Sequence, residues 1–202
     1  MTAQALAEDA GPRNVHIETP DSEVFRHRLH VIAASSVDVV CSAGGWLADR
    51  ALAGWDVLVY LPDDQDPAPL RVLGVAPRSM GQLSDLAQSF RRERRGKRRN
   101  APAALAVDAA MVSGHSLVTS CIESAFADAT VEILMWGAVP VDALGERFVR
   151  TPCRASTAGR AFKSHALSAA AVAQRSSDVE EVHIRAPQPS WVGCFVERGE
   201  PR

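Results

Sequence analysis

Three segments of this chain carry residues whose types and spacing could do chemistry. The first is SAGG, ending in Gly44 and Gly45, which follows the apolar run VDVVC and precedes WLADRALA. If the run is a strand and the segment after it a helix, the glycines form a turn at the strand's carboxyl end. In open α/β sheets anions collect there, because backbone N–H groups and a helix N-terminus point at them. Neither the GxGxxG nor the GxxxxGK[ST] spacing is present. A tight turn that lets Trp46 pack against the strand is therefore the competing reading.

The second is PCRASTAGR, from Pro152 to Arg160. A thiolate, a loop of small residues and arginines all answer negative charge, so Arg154 and Arg160 are candidate anion ligands beside Gly44 and Gly45. Six residues separate Cys153 from Arg160, one more than the phosphatase loop allows. That extra residue would re-aim the guanidinium, which favours anion binding or a plain helix cap over covalent cysteine chemistry.

The third is RRERRGKRR. It places Arg91, Arg92, Arg94, Arg95, Lys97, Arg98 and Arg99 around a single acid, Glu93. Such a run resists burial and suits a phosphate backbone, which asks for charge more than shape. It lacks the interleaved aromatics of a single-strand platform. DNA or RNA, an acidic protein partner, or solvent alone are the alternatives.

Weaker signals surround these. SGHSLVTS has Gly114, His115 and Ser116 in partial likeness to a nucleophile elbow, but its fifth position is Val118 and no sharp bend is expected there. Asp63, Asp64 and Asp66 read as a solvated turn, since no cation-loop spacing is met. His27 and His30 stand three apart on an expected helix and read as a surface pair. Cys41, Cys121, Cys153 and Cys194 form no CxxC pair and no zinc spacing, so no metal or other cofactor is expected and reduced, mostly buried thiols are. The tryptophans at 46, 55, 136 and 191 adjoin apolar segments and read as core.

The elements that must position these groups follow from periodicity. A helix is expected from Asp21 to about Ala34, with Phe25, Leu29 and Ile32 on one face. Val37 to Tyr60 reads strand, turn, helix, strand, and LRVLGV from Leu70 to Val75 reads as a further strand. Ser79 caps a helix lined by Leu83, Leu86, Ala87 and Phe90. Leu105 to Ala127 reads as helix with a break at Ser113 and Gly114, Val131 to Trp136 as strand, Pro140 to Arg147 as a short helix, and RFVR as a brief strand. A helix over about 158–175 and strands at 179–185 and 191–196 complete the chain, the last pair at an antiparallel edge. VHIETP at Val15 and VHIRAP at Val182 echo each other without a longer repeat around them.

Bulk properties bound the rest. With 202 residues, 47% hydrophobic content and a net charge of -2, one core is expected. The fold class is α/β: a single compact domain with a central mixed, partly parallel sheet flanked by helices. It would span residues 15–198 after a flexible tail at 1–14, with a mobile basic loop at about 91–102. No apolar stretch reaches membrane-spanning length and no signal peptide is evident, which points to a cytoplasmic protein without a membrane partner. The leading expectation is a non-enzymatic accessory or regulatory protein whose basic loop contacts nucleic acid or an acidic protein. The alternative is a small enzyme or ligand-binding domain for a phosphorylated or carboxylated metabolite, using the glycine-rich turns. A structural subunit completed by another chain is a third.

Overall fold

The computed structural model describes residues 27–93, 104–138, 147–173 and 179–185. Its first strand is β1 (Arg28–Ile32), where a helix is expected from sequence. Helix α1 (Ser36–Leu52) follows and absorbs both VDVVC and SAGG. The cause is local. Ser35 takes an extended conformation and its hydroxyl accepts from the Asp38 N–H, an S-x-x-D cap that starts a helix. Val39, Val40, Ala43 and Leu47 then bury one helical stripe. This stripe, spaced for a helix, outweighs the β preference of valine, which depends strongly on context.

Strand β2 (Asp56–Leu61) matches the expectation for WDVLVY. LRVLGV does not become a strand: α2 (Ala68–Val72) occupies it, with Leu70 and Leu73 buried. Gly74, at φ +75°, ends that turn, and the strand begins later as β3 (Ala76–Ser79). The stripe of α3 (Leu83–Glu93) is as expected, and Ser79 caps the 3-10 turn that leads into it. Leu105 to Ala127 divides into β4 (Ala104–Asp108) and α4 (Ser116–Phe126), separated by Gly114 at φ +96°. Then come β5 (Glu132–Trp136), β6 (Phe148–Arg154), α5 (Thr157–Ala169) and β7 (Val179–Arg185). The expected elements before residue 27, at 140–146 and at 191–196 lie outside the described residues.

These strands form one seven-stranded sheet in the order β3-β2-β1-β4-β5-β7-β6. The first five are parallel, while β7 is antiparallel to both β5 and β6. The α/β class with a mixed sheet therefore holds. Two cores sandwich the sheet. One joins Val40, Leu47, Leu70, Leu134 and Leu167 beneath α1, α2 and α5. The other joins Ile32, Phe90, Leu105, Ile122 and Ile133 beneath α3 and α4. Apolar side chains leave β4 and β5 on both faces, as strands covered on both sides require.

Candidate functional site

Gly44 and Gly45 lie inside α1, so they form no anion-binding turn. Their role is close approach. A Cβ on Gly45 would sit 2.6 Å from Ala155 Cβ, and one on Gly44 would sit 3.3 Å from Lys163 Cγ. Gly159 completes the contact from α5, where a Cβ would lie 2.6 Å from Gly45 O. The two small-residue segments singled out in the sequence thus pack against each other.

The anion at this junction belongs to the protein itself. Glu180 Oε1 accepts from the Gly45 N–H at 2.8 Å and Oε2 from the Trp46 N–H at 2.9 Å. Lys163 Nζ donates to the same Oε1 at 2.6 Å and to Cys41 O at 2.8 Å. In an ideal helix Gly45 N–H and Cys41 O would be partners. A buried ion pair reaches both groups, with both side chains almost fully enclosed.

Beside this junction a cleft of about 370 Å³ opens between the second half of α1 and the β6–α5 connection. Trp46, Leu52 and Ala53 form its apolar wall, and Asp49, Arg50, Arg154 and Ser156 supply polar groups. Asp49 is committed: it accepts from the Ser156 N–H at 2.7 Å and from the Ser156 hydroxyl, while Ser156 caps α5 by accepting from the Gly159 N–H. Arg154 is exposed at the rim. Arg160 does not line the cleft; its guanidinium donates to Ala155 O and Thr157 Oγ1 at the start of its own helix. Cys153 is buried and its thiol is pushed up to about 11, chiefly by burial, so it is no thiolate nucleophile.

Arg50 was not singled out by sequence. It is buried, with its guanidinium 4.5 Å from the Trp55 ring centroid and 5.3 Å from that of Trp46. Trp46 and Arg50 stand four apart on a helix, the spacing of neighbours on one face, and that signal was present in WLADR. Glu132, also unforeseen, is buried near Arg50. Burial pushes its carboxyl up to about 7 against the pull of that guanidinium.

Other candidates disperse. Arg91 belongs to α3 and donates to Ser120 and Ser124 of α4, and Arg92 donates to Gln88. Arg94, Arg95, Lys97, Arg98 and Arg99 lie outside the described residues. The expected surface pair of histidines is absent: His30 is buried in β1, 3.0 Å from the Tyr60 hydroxyl, and His27 stacks on Trp55. His115 precedes α4 in an ordinary helix start, with no strand-to-helix elbow. Asp66 accepts from the Ala68 N–H, so the acidic turn leads into α2. At the β1/β4 switch point, where the chain's winding reverses and open sheets hold ligands, Ser35 and Asp38 bond each other and Asp108 accepts from Ala110 N.

No family model matches this chain, and no curated protein matches it. Among solved structures it is similar to the zinc-inhibited form of a teicoplanin deacetylase, at 16% identity over 80% of this chain and 100% of that one, with a TM-score of 0.48. A pseudoaglycone deacetylase follows at 12% identity, covering 80% and 97%, with a TM-score of 0.45. The 4-carboxy-2-hydroxymuconate hydratase from Pseudomonas putida shows 12% identity, 81% and 97% coverage, and a TM-score of 0.46. At these values the likeness concerns chain path only and brings no activity to this protein.

The leading expectation is nevertheless corrected. The basic run begins with Arg91 tied into the helical layer. The loop expected from residue 91 thus starts as the end of α3, and the regulatory reading that rested on a free basic loop is set aside. Zinc is named for the first deacetylase and is a property of that protein. Among the described residues here, no group of three or more His, Cys, Asp or Glu is placed to hold a metal ion, so a zinc site does not fit them.

Proposed function

We propose that this chain is a small enzyme or ligand-binding domain for a carboxylated or phosphorylated metabolite with an apolar body. One observation carries the reading: the second half of α1, from Trp46 to Ala53, and Arg154 and Ser156 at the β6–α5 connection border a concave cleft that joins an apolar wall to two arginines. Its volume is in the range of small-molecule sites, which combine apolar walls with a few placed polar groups. Arg154 at the rim meets the anionic head first, Arg50 draws it inward, and Trp46 and Leu52 cover the apolar part. Gly44 and Gly45 act behind the cleft by letting α1 approach α5 closely, and Arg160 braces the start of α5. The unbridged thiols of Cys121 and Cys153 support a reducing, cytoplasmic setting. No helix of the described residues is long and apolar enough to cross a membrane.

Titration with phenylacetate and phenyl phosphate against neutral phenylacetamide, read by tryptophan fluorescence, tests this. The anions are expected to bind and the amide to bind far more weakly. Arg154→Gln should lower anion affinity by about tenfold, the worth of one charge-assisted hydrogen bond. Equal binding of acid and amide, or an unaltered Arg154→Gln variant, refutes the reading.

A further inference from the structure

A second concavity lies where β1, β2 and β3 begin. It is a groove of about 630 Å³, and Arg28, Trp55, Asp56, Leu58, Ala76 and Arg78 are among its lining residues. It shares no lining residue with the cleft. Gly54 and Gly74, which follow α1 and α2 at φ +83° and +75°, give it a rim without side chains.

The sheet register puts both arginines on one face. Arg28 is level with Asp56, His30 with Leu58, Leu58 with Ala76, and Tyr60 with Arg78. Partners in a parallel sheet point the same way, and alternate residues of a strand share a face. Arg28, Leu58 and Arg78 therefore project on the side of Ile32 and Tyr60, which α3 and α4 cover. That cover stops short here: Leu58 is only half-buried at the edge of the core, and Arg78 is exposed. The two arginines stand on the strands either side of Leu58, roughly 16 Å apart at Cα for ordinary strand spacing and rise.

Among the described residues, neither guanidinium has a hydrogen bond or an ion pair. By contrast, Arg91, Arg150, Arg160 and Arg185 each donate to a protein acceptor. Asp56 is the acid in the lining, so the groove keeps an excess of positive charge. A concave surface lined by one sign of charge raises the local concentration of counter-ions. A guanidinium takes carboxylate or phosphate oxygens two at a time. We propose that this groove is a second ligand site, for a small molecule carrying two anionic groups, one held by Arg28 and the other by Arg78. Leu58, between them, is the floor over which the body of the ligand lies.

Calorimetric titration of the full chain with fructose bisphosphate, fructose monophosphate and fructose tests this, since a sugar phosphate lacks the apolar body that the cleft asks for. The bisphosphate is expected to bind, the monophosphate to bind about tenfold more weakly, and the neutral sugar to give no heat of binding. Arg28→Gln and Arg78→Gln should each lower bisphosphate affinity by about tenfold, to the level of the monophosphate. Both variants should unfold within about 2 °C of wild type, because neither side chain bonds to the protein. Arg154→Gln, in the cleft, should leave bisphosphate affinity unchanged. Equal binding of bisphosphate and monophosphate, unaltered affinity in either groove variant, or a loss in Arg154→Gln overturns the inference, and none of these touches the phenylacetate result on which the cleft reading stands. Binding that appears only when residues 1–23 are removed assigns the groove to the acidic stretch from Glu18 to Glu23 of this chain and likewise overturns it.

Discussion

Replacing Lys163 by Met removes the cation from the ion pair set into α1 and leaves its partners where they are. Glu180 keeps its two bonds from Gly45 N–H and Trp46 N–H, so its charge is only partly abandoned. Cys41 O loses its side-chain donor. Breaking a buried pair at one end costs about 3–5 kcal/mol, and the two retained N–H donors place this site near ~3 kcal/mol. For a domain of this size that shifts the thermal midpoint down by roughly 6–12 °C. Changing Glu180 to Gln at the same time removes the stranded charge. The double variant should then lose clearly less than the sum of the two single losses, with a coupling of about 2 kcal/mol. Urea unfolding of the four proteins measures this, provided that the slope against denaturant is unchanged. A loss below about 1 kcal/mol in Lys163→Met, or strictly additive losses, would refute the view that the pair holds α1 to α5 and β7.

Two further outcomes test the packing and the pH response. Gly159→Ala places a Cβ 2.6 Å from Gly45 O and 2.6 Å from Asp49 Oδ1; the helix-propensity gain of about 1 kcal/mol is outweighed by overpacking of about 1–3 kcal/mol, and an unchanged or raised thermal midpoint would contradict the close approach. Burial, and then Arg28, lowers His30 to about 3 from 6.5, so its contribution is whole above about pH 6.5 and falls by roughly 2 kcal/mol by about pH 5. Glu132 runs the opposite way: raised from 4.5 to about 7, it contributes fully below about pH 4.5 and loses roughly 3 kcal/mol as pH rises through 7. Urea midpoints across this range should therefore fall on the acid side more steeply in Glu132→Gln than in wild type, and less steeply in His30→Asn. Identical slopes in all three proteins would show that neither group is buried as described.

The sequence disclosed those elements whose local and global preferences agree. The 3-4 spacing of Leu83, Leu86, Ala87 and Phe90 marks α3, and the apolar run at Val131 marks β5. VHIR at 182–185 lies within β7. VDVVC misleads because its valines favour strands while Ser35 and Asp38 cap a helix, and the capped helix can bury Val39 and Val40 against the sheet. The strand density attributed to it belongs to RLHVI just before. Within the cleft, Arg154 was legible as an arginine in a run of small residues. Glu132 was hidden in a strand pattern, since a buried acid and an exposed acid are written alike in a linear chain. Its raised carboxyl comes from burial beneath α1, which periodicity does not encode.

The glycine pair shows why a motif's chemistry and its purpose can separate. The reasoning that assigned an anion to Gly44 and Gly45 was sound in kind, because a backbone N–H at Gly45 does bind a carboxylate. That carboxylate is Glu180, and its capture joins α1 to β7. Lys163 extends the tie to α5, and Asp49 extends it to Ser156 at the β6–α5 connection. Both walls of the cleft are thereby fixed to each other through bonds that lie outside its apolar surface. Among the described residues, the carboxylate site at Glu180 is thus part of the frame that holds the two walls of the cleft together.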